Sequence, residues 1–268
     1  ARSFAAARQA AVQALCPGSD VAALLDKPNN NLAVEYCKAI IEQGVEMQPI
    51  ALPRQGADHG QALTESAHAA FASASALRAL WAEGGAAALA PYVPEKALKL
   101  YKQAEYDGKY TDFAVMGHCE LALLRAACAG QAPFAAVRGV SEGLEHRLEN
   151  AVRETASLPA LLDALTTVRY PRARMRRLAM DAALGYTAQT PALPPYLHLL
   201  GARKEALSLP GETALPLSHS LARLARENET CAQMAAAQNR ASDLGALCRA
   251  KPEPMGGIYR QKIIFLTN

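Results

Sequence analysis

The chain has 268 residues, 51% of them hydrophobic, and a formal net charge of +3 at pH 7, which does not by itself indicate a nucleic-acid partner. It is long enough for one large domain or two ordinary ones, and no apolar run approaches the roughly 18 residues of a membrane span, so we expect a soluble protein with no membrane partner. The six scattered cysteines lack CxxC pairs and zinc-finger spacing, so we expect free thiols, no bound metal and a cytoplasmic location.

The first 52 residues predict helices followed by a strand. Alanine and leucine at helical spacing favour helices over residues 4–15 and 21–25. The three asparagines that precede Leu32 can cap a third helix. The apolar run 47–52 is typical of a short strand, and the loop that follows would lie at the strand's carboxyl end, where open α/β sheets bind ligands.

From Ser73 onward the sequence predicts helices almost throughout. Ser73 stands where an N-cap should be, before a helix that ends at Gly84 and Gly85. Helical apolar spacing then recurs over residues 94–101, 112–129, 143–155, 158–167, 172–184 and 218–237. The single late strand candidate is 258–266.

The chain is therefore expected to be mostly α and to divide near residue 90. Because one strand cannot form a stable sheet, residues 1–90 are interpreted as the C-terminal remainder of an α/β domain whose opening strands lie outside this chain. Residues 91–268 are interpreted as an all-helical domain.

The segment Ser73-Ala74-Ser75-Ala76-Leu77-Arg78 places two hydroxyl groups and an arginine on the first turns of a helix. Free backbone N–H groups and the helix dipole favour an anion at this end, and Arg78 can add a charge-assisted contact. The segment therefore predicts a phosphate site, with an ordinary capped surface helix as the alternative.

A second basic segment, Arg169-Tyr170-Pro171-Arg172-Ala173-Arg174-Met175-Arg176-Arg177, opens a later helix. Its five arginines and interleaved tyrosine suit phosphate contacts and base stacking on RNA. On a helix that begins near Pro171, the residues expected to turn inward are Met175, Leu178, Ala179 and Ala182. The alternative is a solvated helix face whose arginines pair with nearby glutamates, namely Glu142, Glu145 or Glu149.

Several segments together resemble the bacterial tRNA(Met) cytidine acetate ligases, a group within the HIGH nucleotidyltransferase superfamily. Pro28-Asn29-Asn30, followed by Leu32 and Glu35-Tyr36, is similar to the Pro-Asn-Asn, Leu and Glu-Tyr signature of that family. Pro53-Arg54-Gln55-Gly56-Ala57-Asp58-His59 resembles its arginine, glycine, alanine, histidine loop. Residues 73–78 resemble its Ser/Thr-rich, arginine-ending motif, and segments 139–145 and 169–177 match later landmarks in the expected order.

The resemblance implies a Rossmann-like α/β nucleotidyltransferase domain that binds ATP, followed by a helical domain that binds tRNA. The nucleotide contacts that it implies are Asn29, Asn30, Arg54, Ser73, Ser75 and Arg78. The arginine-rich segment at 169–177 would contact the tRNA. His59 is the candidate catalytic residue, with a merely solvated loop histidine as the alternative. Mg²⁺ would accompany ATP without a dedicated protein cage.

The reaction implied by the resemblance has two steps. Acetate attacks the α-phosphate of ATP to give acetyl-adenylate and pyrophosphate, and the N4 amine of the wobble cytidine in elongator tRNA(Met) then takes the acetyl group. The superfamily's His-x-Gly-His sequence is absent from this chain, so we expect a fragment that lacks the catalytic histidines and is inactive alone. The alternatives are a non-catalytic RNA-binding module and an adenylyltransferase with another substrate. The sequence leaves the oligomeric state open.

Overall fold

The computed structural model describes residues 4–52, 72–206 and 213–266. The chain divides into two compact units, Ala1–Glu95 and Lys96–Asn268, and the sequence predicted a division near residue 90. Helices dominate both units, which confirms the prediction of a mostly α chain. No described helix combines the length and the apolar character that crossing a membrane requires.

Four helices form the described part of the first unit: α1 (Phe4–Leu15), α2 (Val21–Leu24), α3 (Pro28–Gln43) and α4 (Ala74–Gly84). A short 3₁₀ turn, Ala86–Leu89, follows α4 and packs against it. Helices α1 and α2 also pack together. The side chains of Ala22, Leu25, Ala86 and Leu89 are buried. The three predicted helices at 4–15, 21–25 and after Ser73 are thus confirmed to within a residue or two.

The start of α3 differs from the prediction. Its N-cap residue is Lys27, and Pro28 occupies the first turn, where a missing backbone N–H breaks no helical hydrogen bond. The asparagines therefore lie inside the helix, and the prediction that they cap it is wrong. The amide of Asn31 instead donates to the carbonyl oxygens of Leu25 and Lys27, at 2.6 and 3.2 Å, which ties the helix to the turn before it.

Residues 47–52 were predicted to form a strand and have no regular secondary structure. The sheets of the described chain contain no partner for this segment, and an isolated strand is not stable in water. The side chains of Met47, Ile50 and Leu52 are 67%, 81% and 87% exposed. The strand prediction is therefore wrong for the described chain, and a Rossmann-like origin of this unit stays a prediction.

The second unit contains seven described helices: α5 (Glu95–Tyr106), α6 (Phe113–Ala127), α7 (Leu144–Glu154), α8 (Leu158–Leu165), α9 (Arg172–Ala183), α10 (Leu221–Leu224) and α11 (Glu229–Leu247). Polar side chains fix four of the starts by accepting backbone N–H groups of the first turn, namely those of Asp112, Ser157, Ser220 and Asn228. Each such cap contributes about 1 kcal/mol to stability.

The main core lies where α6 packs against α7, α8 and α9. Leu124, Leu148 and Leu161 are fully buried there, and burial of each such side chain contributes roughly 1.5–3 kcal/mol. Helix α9 contributes the four residues that the sequence predicted to turn inward, Met175, Leu178, Ala179 and Ala182, and all four are buried. This orientation of α9 is therefore confirmed.

Short strands interrupt the second unit, so the prediction of an all-helical domain is wrong. The described strands are β1 (Leu197–His198), β2 (Gly201–Arg203), β3 (Leu217–Ser218) and β4 (Ile264–Leu266). They form two parallel pairs, β1 with β3 and β2 with β4. A Cβ atom on Gly201 would lie 3.1 Å from the carbonyl oxygen of Ile264, so the close approach of β2 and β4 favours glycine. Of the strand predicted at 258–266, only β4 forms.

The helix predicted over 218–237 is broken into β3, α10 and α11. The hydroxyl of Ser220 accepts the N–H of Arg223, and the amide oxygen of Asn228 accepts the N–H of Cys231. Each of these short polar side chains starts a new helix by competing with the backbone acceptors of a continuous one. The apolar spacing is unaffected by the interruption, which explains why it predicted a single helix.

A buried carboxyl group lies on α6, the helix that packs against α9. The side chain of Glu120 is 1% exposed, and its Oε1 atom has no hydrogen-bond partner within the described chain. Burial raises the pKa of this carboxyl from 4.5 to about 7, and the guanidinium of Arg176 partly opposes that rise. The protein therefore bears a carboxyl whose ionisation disfavours the folded state.

Replacing Glu120 with Gln should remove this pH-dependent destabilisation. The unfolded chain releases the proton near pH 4.5 and the folded protein near pH 7, so wild-type stability falls across that window and stays lower above it. As pH rises from about 5 to about 8, the free energy of unfolding of Glu120→Gln should increase by about 2 kcal/mol relative to that of wild type. Chemical denaturation at a series of pH values measures this difference. Glu227→Gln, an exposed control, should show no such trend, and parallel profiles for wild type and Glu120→Gln would contradict the assignment.

Candidate functional site

The first candidate site is the N-terminal end of α4. The hydroxyl of Ser73 accepts the N–H of Ala76 at 3.2 Å, which confirms the predicted N-cap, and its Oγ lies 3.0 Å from Oγ of Ser75. Ser73 is buried, whereas Ser75 and Arg78 are exposed. The cap accepts only one N–H of the first turn, so the positive end of the helix dipole stays available beside the exposed hydroxyl. This geometry can hold a phosphate group.

The other predicted nucleotide contacts form no described hydrogen bond with the residues at the start of α4. Asn29 and Asn30 lie in the first turn of α3, and neither is bonded to Ser73, Ser75 or Arg78 in the described structure. The predicted contact Arg54 and the predicted catalytic residue His59 lie outside the described residues. Within the described chain, no group of three or more His, Cys, Asp or Glu could hold a metal ion. An assembled nucleotide site therefore stays a prediction.

The second candidate site, here called the arginine surface, consists of Arg169, Tyr170, Arg172, Arg174, Arg176 and Arg177. The turn before α9 is closed by Tyr170, whose N–H donates to the hydroxyl of Thr167 at 3.0 Å. The Tyr170 ring packs against the main core. The guanidinium groups of Arg169 and Arg174 lie 5.8 and 5.0 Å from the centre of this ring. A core-anchored tyrosine thus holds two arginines at the surface by cation–π contacts.

The alternative expectation, that glutamates neutralise these arginines, holds for one of them. Arg169 pairs with Glu142, whereas Arg172 pairs with Asp163 of α8. The predicted partner Glu149 pairs instead with Arg153, at 2.7 Å.

The three other arginines of the surface form no ion pair with a described residue. Arg174 donates weakly to the carbonyl oxygen of Gly139, at 3.4 Å. Arg176 and Arg177 are exposed, and neither forms an ion pair with a described residue. The two ion pairs that do form are exposed, and such pairs contribute at most about 1 kcal/mol. The arginine surface can therefore receive phosphate groups at small cost.

A pocket of about 310 Å³, not predicted from the sequence, lies beside the arginine surface. Its lining residues are Arg138, Gly139, Arg174, Arg177, Leu178 and Asp181. The Nε and Nη2 atoms of Arg138 donate to the two carboxylate oxygens of Asp181, at 2.6 and 2.8 Å. Arg138 also lies 5.0 Å from the ring centre of Tyr186, and Arg240 of α11 lies 5.7 Å from it. These residues are far apart in sequence, so no local pattern could reveal them.

Comparison with known proteins identifies the family. A sequence model of the HIGH nucleotidyl transferase family matches residues 1–255. A tRNA(Met) cytidine acetate ligase of Listeria monocytogenes is 29% identical over 183 residues, which cover 68% of this chain and 45% of the relative. A ligase of the same name from Thermoanaerobacter sp. is 26% identical over 204 residues, covering 74% and 49%. The chain thus spans less than half the length of these relatives.

Two solved structures show the same fold. Thermotoga maritima TmcAL bound with alpha-thio ATP matches with a TM-score of 0.82 and 19% identity, over 99% of this chain and 67% of that protein. The apo form matches with a TM-score of 0.83 and 21% identity, over 99% and 68%. The resemblance predicted from the sequence motifs is confirmed, and the chain belongs to the HIGH nucleotidyl transferase family.

Proposed function

We propose that this chain is part of an ATP-dependent tRNA cytidine acetate ligase and that residues 96–268 bind the tRNA. The observation that carries the proposal is the arginine surface, where Arg174, Arg176 and Arg177 form no ion pair with a described residue. Guanidinium groups bind phosphate oxygens in a bidentate manner, and a neighbouring tyrosine ring can stack on an unpaired base. The names of the curated relatives supply the substrate, tRNA(Met).

The first unit would bind ATP at α4. Ser75 and Arg78 would donate to phosphate oxygens, and the helix dipole would favour the negative charge. Asn29, Asn30 and Arg54 would complete the nucleotide contacts, and His59 would orient a phosphate or assist catalysis. Mg²⁺ would arrive with the ATP phosphates, without a dedicated protein cage.

The proposed chemistry requires positioning rather than a covalent protein intermediate. Acetate would attack the α-phosphate of ATP with loss of pyrophosphate, and the cytidine N4 amine would take the acetyl group from the resulting acetyl-adenylate. Cations and N–H dipoles around the phosphates would stabilise the charge that develops during the first step. Arg78 and the end of α4 are the described groups that can act in this way.

The first unit would also pack against further protein in the complete enzyme. Apolar side chains of α3 and of the following segment face solvent, among them Ile41, Ile50 and Leu52, which are 79%, 81% and 87% exposed. Several large apolar side chains exposed along one segment are typical of a surface that packs against other protein. A partial α/β domain, completed by strands and histidines from elsewhere in the enzyme, accounts for this surface and for the missing His-x-Gly-His sequence.

A non-catalytic RNA-binding module is the second candidate function. It is favoured by the arginine surface, which is assembled within one unit around the ring of Tyr170. An adenylyltransferase for another small substrate would have no use for the arginine surface.

Removing two arginines should weaken tRNA binding. In the double variant Arg172→Ala, Arg176→Ala, loss of two phosphate contacts should lower tRNA affinity roughly 10- to 100-fold at low salt. The slope of log affinity against log salt should become shallower by about 1.5, measured by fluorescence anisotropy. The matched control is Arg223→Ala, Arg226→Ala, which removes the same charge from exposed positions near α10. Equal affinities for the two double variants, with both folds intact, would exclude the arginine surface as the tRNA site.

Changes at α4 should weaken ATP binding in the complete gene product. We expect Arg78→Ala to lower ATP affinity about tenfold or more, since a hydrogen bond to a charged group contributes roughly 1.5–3 kcal/mol. Ser75→Ala should act in the same direction with little effect on stability, because Ser73 rather than Ser75 caps the helix. Lys38→Ala removes an exposed positive charge from α3 and is the control. Unchanged calorimetric affinity in Arg78→Ala would remove the phosphate assignment.

Acetyl transfer tests the enzymatic proposal directly. Labelled acetate should be incorporated into elongator tRNA(Met) by the complete gene product with ATP, and not by this 268-residue chain alone. Activity in both proteins would show that the catalytic groups lie within this chain. Silence in both, with tRNA binding retained, would favour the non-catalytic module.

A further inference from the structure

We propose that the pocket between α9 and the loop before α7 is a phosphodiester-binding subsite for tRNA, with Arg177 as its principal ligand. The proposal rests on the RNA-binding function and deepens it, because it assigns one phosphate contact of the arginine surface to a pocket that Arg138 and Gly139 complete. The pocket lies where Arg138 and Gly139 of the loop face Arg174, Arg177 and Asp181 of α9.

The charge of the pocket favours an anion. Three guanidinium groups and one carboxylate line it. The carboxylate of Asp181 is already held by both Nε and Nη2 of Arg138, in the two-bond geometry that most strongly satisfies such a pair. This pair neutralises the charge that would repel a phosphate, and it leaves Arg174 and Arg177 to provide a net positive charge.

Aromatic rings hold the surrounding arginines in place before any ligand binds. The ring of Tyr186 makes cation–π contacts with Arg138 and Arg240. Its hydroxyl donates to the carbonyl oxygen of Ala237 at 2.7 Å. Arg240 also donates to the carbonyl oxygen of Leu184, at 3.1 Å. These contacts hold Arg138 in place beside Asp181, so this wall of the pocket is formed before any ligand binds. Arg177 forms no ring contact or ion pair of this kind within the described chain, so it is the arginine free to close on the phosphate.

The surroundings favour a phosphodiester of a nucleic-acid chain over a free nucleotide. A volume of about 310 Å³ is at the lower end for a small-molecule site, and Leu178, which is itself buried, is the one large apolar side chain among the described lining residues. The described lining residues therefore include no aromatic ring on which a base could stack. Arg174 lines the pocket and also lies on the ring of Tyr170, so the pocket is continuous with the arginine surface. An RNA strand could contact both at once.

The test compares Arg177→Ala, Arg177→Lys and the control Arg226→Ala in the 268-residue chain, with tRNA affinity measured over a range of salt concentrations. We expect Arg177→Ala to lower affinity about tenfold and to reduce the salt slope by about 0.9, the value for one phosphate contact. Arg177→Lys should keep the slope and recover part of the affinity, because it restores the charge without the planar fork. Arg226→Ala should stay within about twofold of wild type.

Three results would overturn the proposal. If the wild-type chain shows no salt-dependent tRNA binding, the RNA-binding function fails and the subsite fails with it. If Arg172→Ala, Arg176→Ala weakens tRNA binding but Arg177→Ala matches Arg226→Ala, the function stands and the subsite is wrong. If inorganic phosphate or ATP binds saturably, and Arg177→Ala abolishes that binding without changing tRNA affinity, the pocket is a small-anion site.

Discussion

The burial of one stripe of α9 determines where the arginines on that helix point. Met175, Leu178, Ala179 and Ala182 occupy the core formed with α6, α7 and α8. Side chains on a helix are separated by fixed angles. Burial of these four side chains therefore makes the intervening arginines point away from the core. Turning α9 to another face would bury guanidinium groups without partners, and that would destabilise the fold far more than new packing could stabilise it. The functional surface is thus a consequence of core packing.

The sequence correctly predicted the features that depend on residues close together in the chain. Periodic apolar residues revealed α1 and the inward face of α9, and a serine before an apolar run revealed the cap of α4. The same signals gave wrong predictions where another residue or the lack of a neighbouring strand changed the local structure. With Pro28 in the first turn of α3, Lys27 and not an asparagine is the N-cap residue. Ser220 and Asn228 start new helices within a long periodic apolar segment. Residues 47–52 lack a neighbouring strand in the described structure. Each failure concerns a boundary or a pairing.

The pocket beside α9 could not be predicted from the sequence. Arg138 and Asp181 are 43 positions apart in the chain, and Tyr186 meets Arg240 only because α11 packs nearby. Folding brings them together, and no spacing rule connects them beforehand. The burial of Glu120 is a similar case, since its place on α6 gives no hint that it faces α9. Arg54 and His59 lie outside the described residues, so their roles rest on the resemblance alone.

The distribution of charge around α9 reconciles a stable fold with a binding surface. Arginines four positions apart, such as Arg172 and Arg176, repel each other by roughly 0.2–0.5 kcal/mol. In the free protein, exposed carboxylates offset this repulsion, with Asp163 beside Arg172 and Glu142 beside Arg169. Each such pair is weak and weakens further with salt. A phosphate can therefore replace a carboxylate at little cost, so the surface is neutralised enough to fold and remains charged enough to bind a polyanion.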